Sequence, residues 1–367
     1  MHYAALVAGC LLIATMLWDA FETIALPRTA TRRLRLARLF YSGTWRWWAA
    51  IARLIGPDRR REHFLALYGP LSVFGLLGVW AGGLITGFAL LLGSQHALFS
   101  ALPSGSRKFD LFYLSGSTLF TLGVGDAVAP QDRVGRVLMI IEGGIGLGLL
   151  TLVLSYVPVL YGSFSRREVR LTLLDHWAGS PPAAAEVLCR LGDTGDAAAL
   201  AEFLAEWELW CSDLLESHLS YPPVAYFRSQ HQRQSWVAAL TTVLDMSALL
   251  KVGVDGLPTW RADPTFAIAR HAAVDLAQIL GARPGRVVDR LPQDELAALQ
   301  RDLEDAGLAL RSGPEAAGHL AELRRSYEPY VDALSNRLMM PMPPWRHVTA
   351  PRYNWRTNPR RDGGAHL

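Results

Sequence analysis

Thr118-Leu119-Phe120-Thr121-Leu122-Gly123-Val124-Gly125-Asp126 sets two glycines at alternate positions between two long apolar segments. Glycine reaches positive φ without a Cβ clash, so a backbone relaxed at Gly123 and Gly125 can turn successive carbonyl oxygens to one side. The carbonyls of Thr121, Leu122, Gly123 and Val124 then form a ladder, with the Thr121 hydroxyl at one end and Asp126 at the other. Such a ladder suits a monovalent cation stripped of its water. The competing reading is a plain glycine turn between two helices.

The flanks favour the first reading. The chain has 367 residues, of which 51% are hydrophobic and 19% charged, a mixture that fits a membrane part joined to a soluble part. Three stretches approach or exceed the roughly 20 apolar residues that cross a bilayer: Tyr3 to Ala25, Phe64 to Gly93 and Val137 to Tyr161. The first resembles neither a signal peptide nor a lipoprotein leader in the decisive respects, because no positive residue precedes it and most of its apolar run follows Cys10. It is read as a retained span whose Asp19 and Glu22 pair with the arginines beyond it.

Arginine placement orients these spans. Arg28, Arg32, Arg33, Arg35, Arg38, Arg46, Arg53, Arg59, Arg60 and Arg61 lie between the first two, against Asp58 alone, and Arg166, Arg167 and Arg170 follow the third. By the positive-inside rule both sets are cytoplasmic. The N-terminus is then outside, and the glycine loop between the second and third spans opens outward. Leu39 to Ile55, with Trp45, Trp47 and Trp48 among arginines, reads as a helix lying on the inner leaflet, with anionic lipid preferred over nucleic acid as its partner.

The central run resembles the potassium channel pore module, whose signature is T-x-x-T-V-G-Y-G-D. Thr118, Thr121, Gly123, Gly125 and Asp126 match it, while Leu122 and Val124 stand where the family has valine and tyrosine. The resemblance implies a selectivity filter at Thr121, Leu122, Gly123, Val124, Gly125 and Asp126, with K+ held by the backbone carbonyls of Thr121, Leu122, Gly123 and Val124. It also implies a pore helix over Phe109 to Phe120, after a turn at Pro103, Ser104 and Gly105. Gly135-Arg136 matches the start of the family's inner helix, and Gly146 falls at its hinge position, near Gly143, Gly144 and Gly148. Hinge and close helix packing are equally good reasons for these glycines. Pro158 is a second kink candidate.

Glu142 stands out, since a charge inside an apolar span needs a partner or water. It is assigned either to filter support from behind, with Ser117 and Thr118 or Ser115, or to the cavity, or to a pair with Arg136. The spans carry no arginine series of the voltage-sensor kind.

From Leu171 the chain reads as helical runs separated by Pro and Gly breaks, without strand-period segments. Ser180-Pro181-Pro182 is predicted to start a helix. Later helices are expected over Asp196 to Leu219, Arg228 to Val252, Pro264 to Leu280, Gln293 to Leu310 and Pro314 to Met339. Phe203, Leu204, Trp207, Trp210, Leu214 and Leu215 form a bundle stripe. Polar residues gather at His218, Tyr221, Tyr226, Arg228, Gln230, His231, Gln232, Arg233 and Trp236, and again at Arg270, His271 and Asp275. A ligand pocket, a pH sensor, a subunit contact and an ordinary solvated face all fit them. The set lacks a recognisable nucleophile, base and orienter, so the protein is read as no enzyme. Cys10, Cys189 and Cys211 suit neither a disulfide framework nor a metal site.

The expected fold is an all-α membrane protein with three transmembrane helices, a re-entrant pore helix and filter loop, then an all-α cytosolic domain. Its parts are a transmembrane helix (1–26), a basic interfacial segment (27–62), the pore module (63–163), the helical domain (164–340) and a Pro/Arg-rich tail (341–367). One filter loop per chain implies a homotetramer. The expected function is a cation channel of the inner membrane, potassium-selective, gated by inner-helix bending with or without the helical domain. It would have permeant K+ rather than a cofactor, membrane lipids as partners, no nucleic acid and an unassigned regulatory ligand. Val124 and Glu142 keep two alternatives open, a weakly selective cation channel and a nonconducting sensor or scaffold.

Overall fold

The computed structural model describes residues 2–24, 36–56, 59–95, 107–124, 130, 132–193, 197–231, 233–255, 257, 260–285 and 288–348. Gly125, Asp126, Arg28, Arg32, Arg33, Arg35, Pro103, Ser104, Gly105, Gln232 and the tail beyond Val348 lie outside them. Among the described residues every regular element is helical, apart from an isolated antiparallel bridge between Val254 and Leu310. The chain forms two compact units, Met1–Tyr161 and Gly162–Leu367.

The first unit contains α1 (His2–Ile24), α2 (Leu36–Leu54), α3 (Arg59–Ser94), α4 (Arg107–Leu119) and most of α5 (Arg133–Ala178). α1, α3 and α5 are long and apolar enough to cross a membrane. α1 packs along α3 where small residues let the backbones close. A Cβ on Gly9 would lie 2.7 Å from the Gly87 carbonyl oxygen, and one on Gly87 would lie 2.6 Å from Ile13. Asp19, whose expected arginine partners from Arg28 to Arg35 lie outside the described residues, has two partners within them. Its carboxylate is buried, accepting from Trp80 Nε1 at 2.8 Å and from the Ala37 backbone N–H at 3.3 Å, so it joins α1 and α3 to the start of α2. A buried carboxylate is tolerable there because it meets an indole donor and the open amides of a helix N-terminus.

The second unit begins with the last part of α5 and continues through α6 (Ala184–Asp193), α7 (Ala197–Ser220), a 3-10 turn (Pro222–Tyr226), α8 (Trp236–Val252), α9 (Ala262–Ile279), α10 (Gln293–Asp305) and α11 (Pro314–Leu338). α8 is the central helix, packed by α6, α9 and α11, and all its residues but Lys251 are buried. The expected stripe of α7 from Phe203 to Leu215 faces inward as read.

Three local expectations fail for identifiable reasons. Ser180 does not cap a helix, because its hydroxyl donates to Asp175 and accepts from Gln234 Nε2 at 3.1 Å; α6 begins only at Ala184. α8 begins at Trp236 rather than Arg228, since Ser235 caps it by accepting from the Ala238 N–H. Arg228 is spent elsewhere, donating to the Leu338 and Met339 carbonyls at the end of α11. α10 stops at Asp305, where Gly307 takes φ 75 and the chain turns into the Leu310 bridge. Residues 341–348, set apart from the domain in the sequence, pack on it: Trp345 is buried, its carbonyl accepts from the Ala185 N–H at 3.0 Å, and Arg346 pairs with Asp302 at 2.5 Å.

Candidate functional site

The glycine loop is built on the end of α4. Leu122 N–H donates to the Ser117 carbonyl at 2.8 Å and Thr121 N–H to the Thr118 carbonyl at 3.0 Å. This pair of bonds is a Schellman cap, which needs a left-handed residue at its C′ position. That residue is Thr121, at φ 55. Glycine or asparagine is usual there, and a β-branched residue with positive φ costs roughly 1–2 kcal/mol. Gly123 follows at φ 61, so the backbone alternates at Thr121 and Gly123. All four residues from Thr121 to Val124 are exposed, and among the described residues nothing donates to their carbonyls. The outcome is a short exposed stretch whose carbonyls have no donor among the described residues, held at one end by a strained helix cap.

α4 is wedged between α3 and α5. Ala89 and Leu92 of α3 meet Leu111 and Leu114 of α4, with Leu138 and Met139 of α5 packed against them. Ser115 sits at the centre of the wedge, where its hydroxyl contacts the Ile85 carbonyl at 3.0 Å and Glu142 Oε1. Glu142 is fully buried, and among the described residues its Oε2 has no partner. Of the residues offered in the sequence as filter support, Glu142 is thus brought against α4 through Ser115. Ser117 and Thr118 are not brought to it, as both hydroxyls donate back to the Leu114 carbonyl. Among the described residues Glu142 makes no pair with Arg136, since its Oε1 meets Ser115 and its Oε2 has no partner, while Arg136 Nε donates to the Pro130 carbonyl.

The glycines of α5 divide by environment. A Cβ on Gly146 would overlap the Leu119 carbonyl oxygen, so glycine here lets α5 touch the last turn of α4. Gly143 has ordinary clearance from Thr118, and Gly144 and Gly148 have open space. At Gly146 close packing alone is sufficient reason for the residue. At the start of α5, Asp132 caps by accepting from the Gly135 N–H at 2.9 Å, and Pro130 lies where a side chain at 135 would point. Pro158 lies inside α5, which continues through it.

In the second unit the polar residues singled out in the sequence form no single site. His218 is buried against Arg167 and Trp236, Arg270 donates to the Ser326 carbonyl, and His271 with Asp275 makes an exposed one-turn pair at 3.5 Å. A different polar core forms in this unit, without a local pattern to mark it. Asp245 of α8 accepts both guanidinium nitrogens of Arg290, the closer at 2.6 Å, and the Tyr327 hydroxyl at 2.6 Å. Glu328 receives Arg324 at 3.0 Å, Arg324 reaches Asp289 at 2.6 Å, and both arginines lie over the Trp345 ring. Only one residue could have hinted at this: Asp245, a lone acid within an apolar helix. Cys10, Cys189 and Cys211 are all free thiols.

Residues 85–160 match a protein family described as ion channel. The match runs from the last ten residues of α3 through α4 and the glycine loop to the apolar part of α5, and supports an ion-channel pore module there. No curated protein and no solved structure matches the chain.

Proposed function

We propose that the protein is a homotetrameric cation channel of the inner membrane, selective for potassium, with its N-terminus outside and its helical unit in the cytoplasm. The observation that carries this reading is the exposed stretch from Thr121 to Val124, with positive φ at Thr121 and Gly123 and no donor to its carbonyls among the described residues, following a helix too short to span a bilayer. Non-helical backbone of this kind is stable at membrane depth only where it lines a wet cavity and is buried by protein. A single chain leaves the row exposed, and four copies around an axis would enclose it. Gly125 and Asp126 continue the filter in the same reading.

Glu142 acts as a positioning residue, tying the pore helix to the inner helix through Ser115. Gly143 and Gly144 are the proposed points of inner-helix bending, and Gly146 the contact about which the bend is set. Conduction is passive and calls for neither enzymatic chemistry nor a cofactor beyond the permeant ion. The helical unit modulates the gate in answer to a ligand yet to be identified.

Reconstitution in liposomes tests this. A barium-sensitive potassium flux that Gly123→Asp abolishes is expected, and absence of flux at every potential, pH and lipid composition would overturn the channel in favour of a membrane-anchored sensor. A weakly selective pore has its own support in Val124, which cannot donate the hydrogen bond of the tyrosine usual at that position. It predicts sodium flux equal to that of potassium in the same vesicles.

A further inference from the structure

α2 repeats one three-residue unit along its length: Ala37-Arg38-Leu39, Trp45-Arg46-Trp47 and Ala52-Arg53-Leu54. In each unit the first residue is buried, the second is an exposed arginine and the third an exposed apolar residue. The units recur at spacings of eight and seven residues, which is two helical turns, so each position becomes a stripe. Neighbouring residues are about 100° apart on a helix, so the three stripes point in three directions.

The first stripe faces protein. Trp45 meets the Tyr68 ring edge-on with centroids 4.8 Å apart, Trp48 stacks on Phe64 at 4.4 Å and donates Nε1–H to the Phe64 carbonyl, and Thr44 and Tyr68 share a hydrogen bond at 2.9 Å. With Asp19 holding the Ala37 amide, this fixes the rotation of α2 on α3. The other two stripes therefore have set directions. One carries Arg46 and Arg53; the other carries Trp47, Ile51 and Leu54, with Trp47 77% and Leu54 87% exposed.

A helix at a membrane edge has three surroundings: neighbouring protein, acyl chains and headgroups. The three stripes of α2 correspond to these in kind, and the apolar and basic ones adjoin as acyl chain and phosphate adjoin in one lipid molecule. We propose that α2 is a binding site for anionic phospholipid, with Trp47, Ile51 and Leu54 in the acyl region and Arg46 and Arg53 on headgroup phosphates. The proposal rests on the cytoplasmic placement of α2 given above, and specifies the ligand of that segment. Position in the chain supports it, because α2 lies between two apolar helices that could span the membrane. Charge supports it too, since the segment joining them is arginine-rich and carries only Asp58 as an acid before Glu62.

The test is native mass spectrometry of the full-length protein in detergent, titrated with phosphatidylglycerol or phosphatidylcholine. Wild type is expected to retain phosphatidylglycerol preferentially, Arg46→Gln/Arg53→Gln to lose that preference by roughly thirtyfold, and Arg46→Lys/Arg53→Lys to keep most of it. Equal retention of the two lipids by wild type, or an unchanged preference in the glutamine variant, overturns the site. A second measurement places the apolar stripe: an environment-sensitive fluorophore on Trp47→Cys, with the three native cysteines replaced, in vesicles containing phosphatidylglycerol. Quenching by acyl-chain spin labels is expected; quenching by aqueous iodide alone, or by neither, means that water or another copy of the chain covers the stripe and refutes the proposal. Neither measurement reads ion flux, so a failed pore and a failed lipid site give different results.

Discussion

Asp245 of the second unit and Glu142 of the first are both buried acids within apolar runs of helix, and the two are treated differently. Asp245 on α8 has a guanidinium in a two-nitrogen contact and a phenol as partners, and its helix is enclosed by others of the same chain. Glu142 on α5 has Ser115, one oxygen unpartnered among the described residues, and a helix whose apolar span is mostly exposed. The two helices differ in their surroundings. One acid belongs to a unit that completes a polar core from its own side chains, and the other to a helix long and apolar enough to cross a membrane. Burial of a charge is stable only with its partners in place, so the pair shows where each unit ends its own folding.

The largest test of this contrast is Asp245→Ala. It leaves Arg290 and Tyr327 buried without their acceptor and is expected to cost about 3–5 kcal/mol, read as a lowered denaturation midpoint of the full chain in detergent. Glu142→Ala is expected to leave that midpoint unchanged and to reduce flux. Should both substitutions unfold the second unit, the two acids do not belong to separate folding units.

Next in size is Gly146→Ala, which pushes a methyl group into the Leu119 carbonyl and is expected to cost about 1–3 kcal/mol through displacement of α4 from α5. Gly144→Ala meets open space. It should leave the assembled protein intact and change only the gating of flux in liposomes. Equal thermal stability of the two variants would remove close packing as the reason for glycine at 146.

What the sequence made legible divides along the same line. The spans, the pore helix and the glycine loop were readable because bilayer length and backbone geometry restrict sequence locally. The partner of Glu142 is legible only as a choice among Ser115, Ser117, Thr118, the cavity and Arg136, since helix spacing alone does not say which hydroxyl bonds back to its own helix. Gly83-x-x-x-Gly87 carries the signal for the α1 contact, since a Cβ on either glycine would press on Met16 or Ile13. The Asp245 network was illegible, because Arg290, Tyr327 and Trp345 reach it from distant parts of the chain without a local pattern. Ser180 misled for a related reason: its ordinary capping hydroxyl was claimed by Asp175, five residues earlier.

A smaller effect comes from His218. Its Nδ1 lies 2.8 Å from the Leu214 carbonyl, which can only accept, and its Nε2 lies 3.3 Å from Arg167, which can only donate, so the ring is neutral in this setting. Burial, and then the Arg167 charge, hold its pKa well below the ordinary 6.5. An unfolded chain takes up this proton near pH 6.5 and the folded one does not. The stability contribution is therefore complete above that pH and lost as the pH falls, by up to about 1.4 kcal/mol per unit. Denaturation of the full chain at stepped pH is expected to show that slope, and His218→Gln to flatten it. A slope unchanged in the variant would assign the acid sensitivity to other groups.

The smallest effect is expected at Arg166, beside Arg167, among three arginines that the topology rule counts alike. Arg167 is buried and donates to the Val224 and Phe227 carbonyls, whereas Arg166 meets Asp213 at 3.6 Å and Arg170 meets Glu206 at 2.7 Å in exposed pairs. Exposed pairs of this kind contribute about 0.2–1 kcal/mol, because water screens them and the long side chains lose freedom in forming them. Arg166→Ala should shift the denaturation midpoint by no more than that, and the shift should vanish in high salt. A larger, salt-independent loss would mean that Arg166 is buried by something the single chain lacks, and would move the boundary of self-sufficient folding from the apolar span into the first turns of the helical unit.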